Sequence, residues 1–211
     1  MAAVTRAKPK IANYPFTTVI PNLGVWVPPY PVHDEQDDEM YVDENDSSAG
    51  GSKGLILCDV PGLIQGAADG VGLGHAFLRH VERCHVILHL IDATSLNPVA
   101  DYEMVNRELV RYGSGQLANM PQVVVVNKLD AFESSSSSRE DWEAGLQVKV
   151  QRNELEQQLQ QVMPHSRLMW MSAKEKNGVD DLMMRLASFV RKVKQVAAAD
   201  ANDAESSTLS R

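Results

Sequence analysis

Asn127-Lys128-Leu129-Asp130 follows directly on the apolar run 122–126. In this N-K-x-D spacing the Asp carboxylate can accept two hydrogen bonds, from N1–H and the exocyclic amine of guanine, a pair that adenine does not offer. The Asn amide can reach the other edge of the base, and the Lys stem can lie along the ring face. A site that pairs buried polar groups rejects an analogue lacking them, so the spacing selects guanine. The same residue types also make an ordinary turn after a strand. Position at the carboxyl end of a strand favours the base site.

Two further strings fall at strand ends. Run 55–58 leads into Asp59-Val60-Pro61-Gly62, a D-x-x-G sequence. Here the Asp would hold Mg²⁺ through water and the Gly N–H would meet a γ-phosphate. Alone, D-x-P-G is also a common turn. Its weight comes from N-K-x-D about 70 residues later, across one β-α-β crossover. Run 168–171 leads into Ser172-Ala173-Lys174, where a backbone N–H could reach the guanine O6.

The elements that must position these strings read clearly. Apolar, β-branched runs at 17–27, 55–60, 85–91, 122–126 and 168–171 predict strands. Helical spacing links Leu73, Phe77 and Val81; Tyr102, Val105, Leu109 and Tyr112; Leu155, Leu159 and Val162; and Val179, Leu182, Met183, Leu186, Phe189 and Val193. Strands alternating with helices predict an α/β fold, a mostly parallel sheet with helices on both faces, whose ligands bind at the carboxyl ends of the strands. Four segments read as unable to pack: 28–53, the loop 111–119, the serine tract 134–138 and the tail 197–211.

Charge and composition narrow the class. The chain has 211 residues, 20 Lys+Arg and 28 Asp+Glu, and a net charge of −8. Eight of the acids lie between Pro31 and Asp46 with no Lys or Arg among them, which leaves 20 acids against 20 bases elsewhere. That balance argues against direct DNA binding. The acid run, Pro28, Pro29 and the Ser/Gly cluster after it predict a disordered insertion over 28–53. A solvated loop is the simple role for it; recruitment of a basic partner is the other. No apolar run reaches the roughly 20 residues a membrane span needs. Cys58 and Cys84 sit in apolar segments as small hydrophobes and suit a reducing compartment. His75, His80, His85 and His89 lack the spacing of a metal site.

Longer strings carry a family resemblance. Ala7-Lys-Pro-Lys-Ile-Ala-Asn-Tyr-Pro-Phe-Thr-Thr18 and Val19-Ile-Pro-Asn-Leu-Gly24 resemble switch I of the Obg family of translation-factor-class GTPases. Asp59-Val-Pro-Gly-Leu-Ile-Gln-Gly-Ala67 and Gly70-Val-Gly-Leu-Gly-His-Ala-Phe-Leu-Arg-His-Val-Glu-Arg83 resemble its switch II and following helix. With N-K-L-D and S-A-K the resemblance covers 7–27 and 54–195. It implies a three-layer G domain of P-loop-NTPase type over 1–195, with a disordered tail at 196–211. Residues from Ala7 on then belong to the fold, although Arg6, Lys8 and Lys10 with no acid before Asp34 would also suit a transit peptide.

The resemblance also implies roles. Phe16, Thr17, Thr18, Val19 and Ile20 would form a nucleotide-contacting loop, with Thr18 and Asp59 on Mg²⁺ and Val60, Pro61 and Gly62 at the γ-phosphate. Asn127, Lys128, Leu129 and Asp130 would hold the base with Ser172, Ala173 and Lys174. Leu63 stands where Ras-like GTPases place the glutamine that orients water, so hydrolysis of GTP to GDP and phosphate would be slow. The family's role is a slow switch in assembly of the large ribosomal subunit, in the cytoplasm or in a plastid or mitochondrial matrix rather than outside the cell.

No G-x-x-x-x-G-K-[ST] occurs in the chain, and no Gly is followed by Lys. On the resemblance, the first strand and the phosphate loop would precede Ala7, so the chain is expected to be an amino-terminally truncated G domain. The missing strand would lie between the strand ending at Asp59 and the strand at 85–91. Two expectations follow: low stability of the chain alone, and phosphate affinity much weaker than base affinity. The alternative function is a non-hydrolysing remnant that acts as a protein-interaction module.

Overall fold

The computed structural model of the 211-residue chain describes residues 1–5, 22–28, 54–60, 74–112, 115–134 and 142–208. Phe16 to Ile20, Pro61, Gly62, Leu63 and the acidic run lie outside these residues. In chain order come β1 (Asn22–Trp26), β2 (Leu55–Asp59), α1 (Gly74–Val81), β3 (Ile87–Asp92) and α2 (Pro98–Arg111). A 3₁₀ turn (Gln116–Asn119) leads to β4 (Gln122–Asn127), α3 (Leu129–Ser134), α4 (Trp142–Val162), β5 (Leu168–Trp170) and α5 (Val179–Thr208).

The centre of the molecule is β4. It pairs in parallel with β3 on one side and β5 on the other. Five of its six residues are buried, as expected for a valine run covered on both faces. Alternation along the strand then sorts the layers. Val123 and Val125 pack with Met171 and with Val179, Leu182, Met183 and Leu186 of α5. Val124 and Val126 face the other way, onto Tyr102 of α2 and Leu155 and Leu159 of α4. Helix α2 begins where the sequence directs it: Pro98 occupies the first turn and the Asn97 side chain accepts a hydrogen bond from the Ala100 N–H.

The second sheet is an antiparallel ribbon in which β1 and β2 pair over Asn22↔Asp59 to Trp26↔Leu55. Among the described residues it shares no ladder with β3. The two sheets nevertheless share one core, because Trp26, Leu55 and Leu57 join Val86, Leu88 and the α5 residues in a single cluster. Val4 packs there too. The turn Met1 to Thr5 can lie on the ribbon because Gly24 has no side chain; a Cβ there would sit 2.8 Å from the Thr5 side chain.

Two segments differ from the sequence expectation. The loop 111–119 was expected not to pack, yet its 3₁₀ turn buries Leu117 against Leu78, Val81, Leu109 and Tyr112. One apolar residue in a polar stretch leaves no periodicity to read. The disordered tail expected from 196 is helical, since α5 continues to Thr208. Residues 194–200 are exposed, so this stretch of the helix rests on the helix propensity of Ala197, Ala198 and Ala199 rather than on packing.

Candidate functional site

Three parallel strands bring three chain ends to one edge of the sheet: Asp92 from β3, Asn127 from β4 and the segment after Trp170 from β5. Asp92 and Asn127 are register partners. Backbone hydrogen bonds tie the ends together: Ala93 N–H donates to the Asn127 carbonyl at 2.9 Å, Met171 N–H to Val126 at 2.9 Å, and Leu129 N–H to Met171 at 3.1 Å.

Local conformation then aims the side chains. Lys128 adopts φ +67° between β4 and α3, where its carbonyl accepts from both Ala131 and Phe132 N–H at 3.0 Å. A lysine in the left-handed region carries strain that the surrounding bonds must hold. After the neighbouring strand, Gly178 at φ +75° turns the chain from the Ser172-Ala173-Lys174 loop into α5; a Cβ there would sit 2.9 Å from the Trp170 carbonyl oxygen. The loop is closed by Ser172 N–H donating to the Asn177 carbonyl at 2.9 Å.

The side chains of the N-K-L-D and S-A-K strings meet directly. The Ser172 hydroxyl donates to Asp130 Oδ1 at 2.6 Å and accepts from Glu175 N–H at 3.0 Å. Ala173 N–H donates to Asn127 Oδ1 at 3.0 Å. Lys174 Nζ lies 3.5 Å from Asp130 Oδ2 and 3.4 Å from Glu175. The Ser172 hydroxyl, outweighing partial burial and aided by Lys174, holds the Asp130 carboxyl below its ordinary value. Glu175, then Asp130, raise the Lys174 ammonium. Asp130 is therefore an ionised acceptor, and each carboxylate oxygen has two acceptor positions, so the Ser172 bond and the Lys174 contact leave capacity for two more donors. Of the backbone N–H groups in the loop expected near guanine O6, that of Ala173 is engaged by Asn127.

Asp92 and Thr94 were not singled out from the sequence, although Asp92 obeys the same strand-end rule. Lys128 Nζ reaches back 36 residues to Asp92 Oδ2 at 2.6 Å. Thr94 holds the other oxygen, through its N–H at 2.9 Å and its hydroxyl at 2.7 Å. Burial at the strand end works against ionisation of Asp92, but Lys128 and Thr94 outweigh it and keep the carboxyl below its ordinary value.

Asp59 and Val60 stand apart. Asp59 ends β2 on the ribbon, opposite Asn22, and Val60 packs on the cluster around Leu78. Leu129 is buried. Among the described residues no group of three or more His, Cys, Asp or Glu could hold a metal, and none of their helices is long and apolar enough to cross a membrane.

Comparison with known proteins places this geometry in context. The family model described as "50S ribosome-binding GTPase" matches residues 1–128. The protein "GTPase Obg" of Crocosphaera subtropica is 37% identical over 186 residues, covering 88% of this chain and 43% of that protein. "GTPase Obg" of a Synechococcus species is 45% identical over 170 residues, covering 77% and 38%. The chain thus spans about two fifths of the length of these curated relatives. A crystal structure of Aquifex aeolicus Era bound to GDP.AlF4- is similar at 19% identity and a TM-score of 0.46, over 89% of this chain and 48% of that one.

Proposed function

From the premise that the chain belongs to the Obg family of GTPases, we propose that it binds guanine nucleotides at the carboxyl ends of β4 and β5. Asp130 accepts from N1–H and the exocyclic amine of guanine. The Asn127 amide serves the opposite edge of the base, the Lys128 stem lies on its face, and the Ser172-Ala173-Lys174 loop closes over O6. The observation that carries this reading is the pair of side-chain bonds that locks N-K-L-D to S-A-K, Ser172 to Asp130 and Ala173 to Asn127. Two short motifs far apart in sequence thereby form one polar edge of fixed shape.

The phosphate side is assigned to Phe16, Thr17, Thr18, Val19 and Ile20 and to Asp59, Val60, Pro61 and Gly62. Mg²⁺ fits the chemistry of Thr18 and Asp59, because that ion takes one or two protein oxygens and keeps waters and phosphate oxygens for the rest. When bound it neutralises charge on the phosphates. Leu63 offers no group to polarise water, so hydrolysis of GTP is slow and the molecule acts as a switch. Assembly of the large ribosomal subunit is the proposed setting, in the cytoplasm or a plastid or mitochondrial matrix.

Asp130→Asn tests the base site. An amide at this position presents a donor to the place where guanine also donates, and it suits the C2 carbonyl of xanthine. The preference for guanine over xanthine nucleotides should invert, with guanine affinity falling by about 100-fold or more. Unchanged guanine preference would remove the assignment.

A further inference from the structure

We propose that Asp92 is a positioning residue for the guanine site: it holds the Lys128 side chain across the carboxyl end of the sheet as the platform for the flat face of the base. This deepens the base-site reading above and rests on it.

The geometry sets the order of events. Asp92 is fixed before it meets Lys128, because Thr94 occupies Oδ1 with both its N–H and its hydroxyl. That leaves Oδ2 facing β4, where it receives Lys128 Nζ at 2.6 Å. The register partner of Asp92 is Asn127, so the lysine must cross one strand spacing to make this contact. Its left-handed backbone throws the side chain out of line with β4. The four-carbon stem therefore spans from the end of β4 to the end of β3, with its charge tethered at the far end.

Stability does not explain the arrangement. Both side chains are well exposed, 54% for Lys128 and 38% for Asp92, and exposed pairs contribute little to folding. A tether matters instead for binding. A free lysine must give up rotamer freedom when a ring settles on its stem, and a stem already ordered gives up less. The other polar side chains of the site are ordered by their own contacts: Asp130 by Ser172, and Asn127 by Ala173. Among the described residues, Asp92 is the group shown to order Lys128.

The test is Asp92→Asn in the full 211-residue chain, titrated calorimetrically with guanosine and with inosine, which lacks the amine read by Asp130. The variant should bind both nucleosides about 5- to 10-fold more weakly, the scale of one lost side-chain ordering contact. The guanosine-to-inosine ratio should stay at its wild-type value, because Asp130 sets that ratio and Asp92 acts on the ring face. In a Lys128→Ala background the same substitution should change nothing, and circular dichroism and urea unfolding should match the parent chain. Wild-type affinity in Asp92→Asn overturns the proposal, and so does an equal loss in the Lys128→Ala background. A wild-type chain that prefers neither nucleoside overturns the base site, and the positioning role falls with it.

Discussion

The parallel sheet and the β1–β2 ribbon share a core yet are built to different standards. In the parallel sheet Val124, Val125 and Val126 are fully buried, and side chains from two strand ends lock the N-K-L-D and S-A-K loops together. In the ribbon one face is buried through Trp26, while Leu23, Val25 and Ile56 remain 63%, 58% and 72% exposed. No hydrogen bond or ion pair among the described residues joins Asp59 on the ribbon to the base cluster. The difference teaches that the base site proposed above sits on the preorganised half of the molecule. The carboxylate assigned to Mg²⁺ sits on a two-stranded element, which is marginal without a partner.

Local stability should divide along the same line, and hydrogen exchange is the most sensitive way to break the comparison. Amides of Val124 to Val126 should exchange only through global opening, those of β1 and β2 through local opening about 1,000-fold more readily. The edges of β2 and β3, which share no ladder among the described residues, should also give the chain a low urea midpoint, since backbone groups cost about 1–3 kcal/mol each where they are buried unpaired. Uniform protection across both sheets would erase the distinction.

Packing substitutions sharpen it. Leu159 is fully buried between α4 and β4, so Leu159→Ala should cost about 2–5 kcal/mol through lost burial and a residual cavity. Urea unfolding checks this, and a cost under about 1 kcal/mol would show that the parallel half is no better packed than the ribbon.

A smaller effect comes from pH. His89 on β3 is buried and stacks on Tyr102 with ring centroids 5.1 Å apart. Burial pushes its imidazole from 6.5 down to about 4, with Gln122 opposing. The folded chain therefore keeps His89 neutral at pH values where the unfolded chain takes up a proton. This contribution is complete above pH 6.5, declines as the pH falls towards 4 and is gone below that. At pH 5 the loss is about 2 kcal/mol. His89→Phe, which keeps a ring against Tyr102, should flatten that part of the stability profile; an unchanged slope between pH 7 and pH 5 would assign it to other groups.

Much of this division was legible in residue types. The valine run announced a strand covered on both faces, and the helical spacings marked the helices of the parallel half. Asn127, Lys128 and Asp130 were legible because a strand end followed by that triplet has a chemical meaning. The tie from Lys128 to Asp92 was not, since it depends on two strands being neighbours in a set register, which no local pattern encodes. Leu117 and the helical end of α5 were missed for a related reason. One depends on a tertiary pocket that accepts a single side chain, the other on propensity that overrides polarity.

The smallest predicted effect tests the ribbon directly. Ile56 pairs with Val25 on the exposed face, where an apolar side chain has little burial to lose. Ile56→Thr keeps the β-branched shape and strand propensity while replacing apolar surface by a hydroxyl that water can satisfy. Stability should move by no more than about 0.5 kcal/mol, and β1–β2 exchange should stay as it was. The same isoleucine-to-threonine change at Ile91 on β3, which is 2% exposed, should cost several times more, because its hydroxyl would be buried without a designed partner. Equal costs at the two positions would mean that Ile56 is covered in solution, and the ribbon would then have to be regarded as part of a closed interior.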